Sequence, residues 1–317
     1  MGRVSLAQLR ERYLRRLPTK FCPGCGNGMV LNAFIRAIHS LGIDTRELVC
    51  VSGIGCSAWI PSPHVRADTM HVTHGRALAF ATGIKLYRPE LRVVAFLGDG
   101  DGAGIGGNHL IHAARRNLGV TAILVNNGCY GMTGGQVAPT TPLGLRTPTT
   151  PYGNPEPPFD LCRLVEAAGA TYVARWTTYH LVQLERSIGE ALQNEGFSFI
   201  EVISQCPTRQ ARMLGVRGPV WEVPGRLLEV IRDSVYPAGR PPEKVYVRAE
   251  EGMKLEGARE KIILRLGRCL ELDGGRKIVE ELRERGLEAY TAEEALVPVG
   301  VLHRSVRPEY SRVVRGG

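Results

Sequence analysis

The segment from Leu91 to Asn127 constrains the fold of this chain more than any other. It contains an apolar strand pattern (LRVVAFLG), a glycine-rich turn (DGDGAGIGG), a helical pattern (NHLIHAARRN) and a second apolar strand pattern (VTAILVNN). Strand, helix and strand in this order predict a parallel pair joined by a right-handed crossover. Both strands then end at one edge of the sheet, so we expect Asp99 and Asn127 to project into the same crevice.

Strands and helices alternate on both sides of this unit. We predict strands in LVCVS, TYVARW and SFIEVISQC, and helices in NGMVLNAFIRAIHSLG, HGRALAFATGIKLYRP, LCRLVEAAGA and HLVQLERSIGEALQNEG. This alternation predicts an α/β fold in which a mostly parallel sheet has helices on both faces.

The sequence pattern changes in the last third of the chain. The 317 residues suffice for one large domain or two. We expect a main domain over residues 1–235 and a C-terminal extension over residues 236–317, to which the sequence assigns no role. Two forms of the extension stay open. It is either a small β-α-β piece built from KIILRLG, GGRKIVEELRERGLEAYTAEEA and VPVGVLHRS, or a helical extension packed on the main domain.

Composition restricts the partners of the chain. The net charge is +9, but the basic residues are scattered rather than set in a nucleic-acid-binding motif, so no nucleic acid is expected. The charge is then either a solvated surface or a docking face for an acidic protein. No apolar run is long enough to span a membrane, and the N-terminal residues lack the apolar core of a secretory signal. We therefore expect a cytoplasmic protein.

The glycine-rich turn has the spacing of a dinucleotide-binding fingerprint, with Gly102, Gly104 and Gly107 as G-x-G-x-x-G. A nicotinamide site also needs an acidic residue roughly 20 positions further on to hold the ribose, and the second strand ends in two asparagines instead. Asp99, Asn127 and a backbone carbonyl after Asn127 form an oxygen-only set of low charge. Such a set suits Mg²⁺ that also binds ligand phosphates.

Five of the eight cysteines lie in loops rich in glycine and proline: Cys22, Cys25, Cys56, Cys129 and Cys206. Cys22 and Cys25 form a C-x-x-C pair, which is compatible with a redox pair, half of a zinc site or half of an iron–sulfur site. Cys56 and Cys206 could complete a four-thiolate site if the fold brings the three loops together. Spacing alone leaves these possibilities open.

Six segments between Lys20 and Arg212 carry a family resemblance. They are, in order, FCPGCGNG, SGIGCSAWIPSP, HVTHGRALAFATG, LGDGDGAGIGGNHLIHAARRN, NNGCYGMTGGQVAPTTP and YGNPEPPFDL. The G-D-G and N-N pair resembles the diphosphate-binding motif of thiamine diphosphate enzymes. The whole set resembles the β subunit of the 2-oxoacid:ferredoxin oxidoreductases. This resemblance implies a thiamine-diphosphate-binding fold with thiamine diphosphate, Mg²⁺ and one [4Fe–4S] cluster as cofactors.

The resemblance also implies a role for particular residues. The cluster ligands would be Cys22, Cys25, Cys56 and Cys206. The Mg²⁺ ligands would be Asp99, Asn127 and the backbone oxygen of Cys129. The residues around the cofactor would be Ile54, Gly55, Cys56, Ser57, His74, Gly98, Asp99, Gly100, Asp101, Asn127, Gly131, Met132 and Thr133. We expect Asp101 beside the metal rather than on it, Trp59 near the reacting centre, and a structural role for His71.

The activity that the resemblance implies is oxidative decarboxylation of a 2-oxoacid to acyl-CoA and CO₂, with electrons passed to ferredoxin. The activating glutamate is expected on a partner α (or fused α–γ) subunit, so we expect a heterodimer and no activity of this chain alone. The segment SAWIPSPH resembles the 2-oxoglutarate and broad-range members of the family more than the pyruvate-specific ones, which implies 2-oxoglutarate or a broad substrate range. The alternatives are a pyruvate-specific ferredoxin oxidoreductase, a non-oxidative thiamine diphosphate decarboxylase or synthase, and a zinc-binding interaction module.

Overall fold

The computed structural model describes residues 4–250 and 252–315. Its strands are β1 (Leu48–Ser52), β2 (Asp68–His71), β3 (Arg92–Gly98), β4 (Val120–Asn126), β5 (Tyr172–Thr177), β6 (Ser198–Ile203), β7 (Val235–Pro237), β8 (Lys244–Arg248), β9 (Arg259–Ile263), β10 (Gly267–Asp273), β11 (Ala289–Thr291) and β12 (Val297–Arg304). Its helices are α1 (Leu6–Tyr13), α2 (Gly26–Ser40), α3 (Ala77–Tyr87), α4 (Gly107–Arg115), α5 (Leu161–Ala168), α6 (Leu181–Gln193), α7 (Gln210–Met213), α8 (Val223–Asp233), α9 (Arg276–Glu284), α10 (Ala292–Ala295) and α11 (Tyr310–Arg315).

Eight strands form one sheet in the order β2-β1-β3-β4-β6-β5-β12-β7. The strands from β2 to β5 along this order all run parallel to their neighbours, and β12 runs antiparallel to β5. The crossover predicted between β3 and β4 is present, since Phe96 pairs in register with Ile123. The edge strand β2, which is short and mostly exposed, lacks the apolar signal by which the other strands were predicted.

Alternate side chains of the central strands enter two separate cores. Phe96 packs in the core that contains α1, α2 and α6, whereas its neighbours Ala95 and Leu97 pack in the core that contains α3, α4 and α5. Helices therefore cover both faces, because both faces of a parallel sheet have to be buried. The predicted α/β fold with a mostly parallel sheet is confirmed.

The last third of the chain builds a second sheet. β11, β8, β10 and β9 form a four-stranded antiparallel sheet in that order, and α9 packs against it through Val279 and Leu282. Neither of the two forms considered for the extension describes this arrangement. A helical extension is wrong because the region contains a four-stranded sheet, and the β-α-β piece is wrong because its two strands, β9 and β12, lie in different sheets.

Two strands at or beyond residue 235 belong to the main sheet. β12 pairs with β5 and β7 pairs with β12, so β12 covers what is otherwise an open strand edge. The division of the chain at residue 235 stays a prediction, and β12 shows that residues assigned to the extension return to the main sheet. None of the helices in the described part of the chain is long and apolar enough to cross a membrane.

Candidate functional site

The predicted site residues follow the carboxyl ends of neighbouring parallel strands. Gly53 to Cys56 follow β1, Asp99 follows β3, Asn127 follows β4, and Ser204 to Cys206 follow β6. In an open parallel sheet this edge is where ligands bind. The topology therefore brings loops from four strands to one edge, although they are far apart in the sequence.

Asp99 is the buried carboxylate at the centre of this edge, 3% exposed. Its oxygens accept hydrogen bonds from the backbone of Gly100 at 2.9 Å and from Thr140 Oγ1 at 2.8 Å. Burial raises the pKa of Asp99 to about 6, although these donors and the backbone N–H groups of Gly128 and Cys129 oppose the shift. A buried carboxylate that is costly to ionise is well placed to hold a cation.

Asn127 lies on the turn that approaches Asp99. Its side-chain oxygen accepts a hydrogen bond from the backbone N–H of Cys129 at 3.2 Å. The same N–H group lowers the pKa of Asp99. Gln210 Nε2 donates to the Asn127 carbonyl at 3.0 Å and fixes the turn. A Cβ atom placed on Gly131 would lie 3.5 Å from Asn127 Nδ2. The structure thus brings together the three residues predicted to hold Mg²⁺.

Asp101 connects three loops beside this turn and is 2% exposed. Its Oδ1 accepts from Gly75 N at 2.7 Å and from Ile54 N at 3.2 Å, and lies 2.8 Å from His74 Nδ1. Its Oδ2 is buried and has no hydrogen-bond partner among the described residues. A Cβ atom on Gly53 would lie 2.2 Å from Oδ1, so only glycine fits opposite this carboxylate.

The remaining predicted residues line the same edge to different depths. Ser57 lies beside Gly98, since a Cβ atom on Gly98 would be 3.6 Å from Ser57 Oγ. Ile54 and Met132 are exposed at the rim, 39% and 46% respectively. Thr133 Oγ1 donates to Gln136 Oε1 at 2.7 Å, within its own turn. Gly55 precedes the short helix Cys56–Trp59 with a φ of 129°.

Sequence reasoning did not identify Thr140, Tyr130 and Gln210. Tyr130 donates to the Gly100 carbonyl at 3.2 Å, and its ring fills the space where Gly100 and Gly104 lack side chains. Thr140, in a long loop, donates a hydrogen bond to Asp99. Gln210, in the short helix α7, donates one to the Asn127 carbonyl. The only signal in the sequence was the glycine content of the turn at 100–107, which indicates a close neighbour without saying which residue it is.

The four cysteines predicted to hold the cluster also meet at this edge. Burial raises the pKa of Cys25 to about 12, and the nearby thiols of Cys206, Cys56 and Cys22 add to the shift. Burial and the thiols of Cys206 and Cys22 raise the pKa of Cys56 to about 11. The loop of Cys22 and Cys25 packs directly on the loop of Cys206, where Gly26 N donates to Gln205 O at 3.3 Å.

These residues fit the groups that the resemblance implies. Within residues 4–250 and 252–315, no three side chains of His, Cys, Asp or Glu converge on a single metal ion. A four-iron cluster does not require several ligands on one metal ion, because each thiolate ligates a different iron. The Mg²⁺ set has one carboxylate, one amide oxygen and one backbone oxygen, which is the hard oxygen chemistry that Mg²⁺ prefers. Thiols in contact with bound iron are held as thiolates, which removes the burial cost.

The other cysteines lie outside the four-cysteine group. Cys129 is buried beside Asp99, whose charge, after burial itself, raises the pKa of its thiol. Cys50, Cys162 and Cys269 are buried in β1, α5 and β10. They take part in core packing, as expected for apolar positions.

A cavity of about 420 Å³ lies behind the Asn127 turn. Thr140 and Asn127 form part of one wall, and Leu264, Arg265 and Leu266, in the turn between β9 and β10 of the second sheet, form part of another. The second sheet therefore encloses the back of the loop that approaches Asp99.

Comparison with known proteins gives the class of this site. Residues 53–202 match the family described as thiamine pyrophosphate enzyme, C-terminal TPP binding domain. The match contains the loops after β1, β3 and β4 and ends at β6. Fold and site thus define a thiamine pyrophosphate-binding domain.

The relatives give the particular family. The 2-oxoglutarate synthase subunit KorB of Methanothermobacter thermautotrophicus is 59% identical over 211 residues, which are 66% of this chain and 73% of that protein. The 2-oxoacid:ferredoxin oxidoreductase subunit beta of Saccharolobus solfataricus is 44% identical over 189 residues, which are 59% of this chain and 62% of that protein. The chain belongs to the family of 2-oxoacid:ferredoxin oxidoreductase β subunits, and the resemblance drawn from the six segments is confirmed.

A solved structure extends the match to the second sheet. One chain of the 2-oxoglutarate:ferredoxin oxidoreductase from Magnetococcus marinus, with 2-oxoglutarate, coenzyme A and succinyl-CoA bound, is 33% identical, with a TM-score of 0.72. The superposition covers 97% of this chain and 88% of that chain. Because the superposition covers 97% of this chain, the structural match includes most of the antiparallel sheet.

Proposed function

We propose that this chain carries thiamine diphosphate, Mg²⁺ and a [4Fe–4S] cluster in an enzyme that converts 2-oxoglutarate and coenzyme A to succinyl-CoA and CO₂. Two electrons and one proton leave in the balanced reaction, and ferredoxin accepts the electrons. The observation that carries the proposal is the meeting of the Asp99–Asn127 turn and four cysteines at one sheet edge. The names of the relatives and of the solved structure favour 2-oxoglutarate as substrate.

Asp99, the Asn127 side chain and the Cys129 backbone oxygen would hold Mg²⁺ in this proposal. Gln210 and Thr140 keep these oxygens in place. Asn127 and Cys129 belong to one short turn, so their geometry is set by the backbone. Preorganised oxygens of this kind bind a metal with a smaller loss of conformational entropy.

Asp101 would position the diphosphate side of the site. It holds the backbone N–H groups of Ile54 and Gly75 and the ring of His74. A hydrogen bond from Nδ1 to a carboxylate fixes the orientation of a histidine ring and directs its Nε2 outward. His74, with about a third of its side chain exposed, can then reach a bound phosphate while Asp101 stays beside the metal.

Bound thiamine diphosphate supplies the nucleophile and electron sink for decarboxylation, and the cluster accepts electrons singly. The chain binds, orients and shields these groups. Both buried acids at the site, Asp99 and Asp101, already accept hydrogen bonds from this chain. This supports the expectation that the activating glutamate comes from an α subunit and that the chain is inactive alone.

The test is anaerobic assay of this chain with and without an α subunit, using methyl viologen as electron acceptor. We expect reduction that requires 2-oxoglutarate, coenzyme A and both subunits, with a higher kcat/KM for 2-oxoglutarate than for pyruvate. A higher kcat/KM for pyruvate would reject the substrate. Release of an aldehyde without coenzyme A or viologen reduction would instead support the non-oxidative decarboxylase.

A further inference from the structure

The exposed side of the four-cysteine group is bordered by one segment. Cys22 is exposed, and Gly24 in the same loop packs against Pro224. A Cβ atom on Gly24 would lie 2.3 Å from Pro224 Cγ and 3.7 Å from Pro207 Cγ. Residues 207–226, here called the basic segment, therefore begin and nearly end against the loop of Cys22.

The basic segment carries unbalanced positive charge. It contains one acidic residue, Glu222, which Arg226 already neutralises at 2.7 Å. Arg212 and Arg217 are exposed, and in the described part of the chain neither has a carboxylate within ion-pair distance. Four arginines against one glutamate give the basic segment a net charge of +3 beside the exposed Cys22, where an electron would leave the protein.

The same segment exposes apolar side chains. Trp221 is 81% exposed and Val220 is 75% exposed. Exposed tryptophan beside exposed arginine is the composition of an interface hot spot, in which the aromatic ring supplies buried area and the arginines supply orientation.

We infer that the basic segment, together with the loop of Cys22, is the docking surface for a small acidic electron-carrier protein of the ferredoxin kind. The inference rests on the proposed function, since it needs an electron at the four-cysteine group. Complementary charge attracts an acidic carrier and speeds its encounter with the surface. Trp221 then packs against the carrier beside the exposed ligand.

The experiment uses the α–β holoenzyme and a purified ferredoxin of net negative charge. The variants are the double substitution Arg212→Glu with Arg217→Glu, the substitution Trp221→Ala, and Arg46→Glu as control. Arg46 is 89% exposed and precedes β1, at the opposite edge of the sheet. Three quantities are measured: the KM for ferredoxin, the Kd for oxidised ferredoxin, and the rate of methyl viologen reduction.

We expect the double variant to raise both the KM and the Kd for ferredoxin by about 10-fold or more at low salt, with a smaller effect at high salt. Trp221→Ala raises the Kd at both salt concentrations, and viologen reduction stays unchanged in every variant. Unchanged ferredoxin binding in both segment variants overturns the inference. Loss of the α subunit from them also overturns it, because the surface then belongs to the subunit interface.

The outcome for the proposed function is separate. If the wild-type holoenzyme shows no viologen reduction that depends on 2-oxoacid, the proposed function fails, while the Kd for ferredoxin still decides whether the basic segment binds an acidic carrier. If viologen reduction is normal and the substitutions leave the Kd for ferredoxin unchanged, only the proposed docking surface is rejected.

Discussion

The carboxyl edge of the parallel sheet and the C-terminal antiparallel sheet differ in what their residues do. At the edge, Asp99 and Asp101 are buried acids held by several donors, and glycines stand where a side chain would collide. In the antiparallel sheet, Val247 and Val279 only fill a small core. In our proposal, single residues at the edge hold the cofactors, whereas the second sheet requires mainly an apolar pattern. Substitutions should therefore affect function in the first region and local stability in the second.

The largest loss of function is expected for Cys206→Ser in the α–β enzyme. The substitution removes one of the four thiols, so iron content and viologen reduction should fall to background while thiamine diphosphate and Mg²⁺ remain bound. Cys50→Ala, at a buried position of β1, is the control and should retain the cluster. Iron analysis and activity measure the effect, and a fully active Cys206→Ser enzyme would show that Cys206 is no ligand.

Arg175→Ala should cause the largest loss of stability in the parallel sheet. The Arg175 guanidinium is 4% exposed and binds Glu201 at 2.7 Å and Asp160 at 2.5 Å. Its removal leaves a buried carboxylate without a counter-charge, which costs about 3–5 kcal/mol of unfolding free energy. Urea unfolding measures this, with Arg46→Ala in an exposed ion pair as a control that should change nothing measurable.

The same ion pairs predict a pH dependence. Burial alone raises the pKa of Asp160, but the charge and hydrogen bond of Arg175, together with the hydrogen bond from the Arg163 backbone, hold the pKa below its usual value. A lowered pKa in the folded state stabilises the protein above about pH 4 and loses this effect as the pH falls. The difference between wild type and Arg175→Ala should thus shrink in acid; a difference that grows there would contradict the assignment.

Gly53→Ala should impair the site without unfolding the sheet. The new methyl group collides with Asp101, displaces His74 and is expected to lower kcat by about 100-fold, since displacements near 1 Å can cost this much. Gly83→Ala is the matched control, because Gly83 lies in α3 with open space around it. It should keep full activity and gain about 0.5–1 kcal/mol of stability. Equal activity of the two variants would argue against a positioning role for Asp101.

Val279→Ala should have the smallest and most local effect. Val279 is 1% exposed between α9 and the second sheet, and its truncation should cost about 2 kcal/mol. Hydrogen exchange should accelerate in β8 and β10 but not in β3 and β4. The same substitution at Val94 in β3 should accelerate exchange in the parallel sheet instead. If either substitution accelerated hydrogen exchange equally in both sheets, the two sheets would unfold together.

Much of the parallel sheet could be predicted from the sequence because its strands are continuous apolar runs between helices. Asp99 and Asn127 were predicted because strand ends of a parallel sheet share an edge, whereas the four cysteines were predicted from their loops and from the family resemblance. Thr140 and Tyr130 were missed because loop contacts over long sequence separation leave no periodic signal. The antiparallel sheet and the return of β12 to β5 were missed because short strands can pair in several ways, and packing alone selects one.

The most direct measurement is the cofactor content of the α–β complex isolated without oxygen. We expect about four irons and one cluster per copy of this chain, with an electron paramagnetic resonance signal after reduction, together with equimolar thiamine diphosphate and Mg²⁺. Zinc in place of iron, or iron without thiamine diphosphate, would contradict the claim that one edge of the parallel sheet holds both groups.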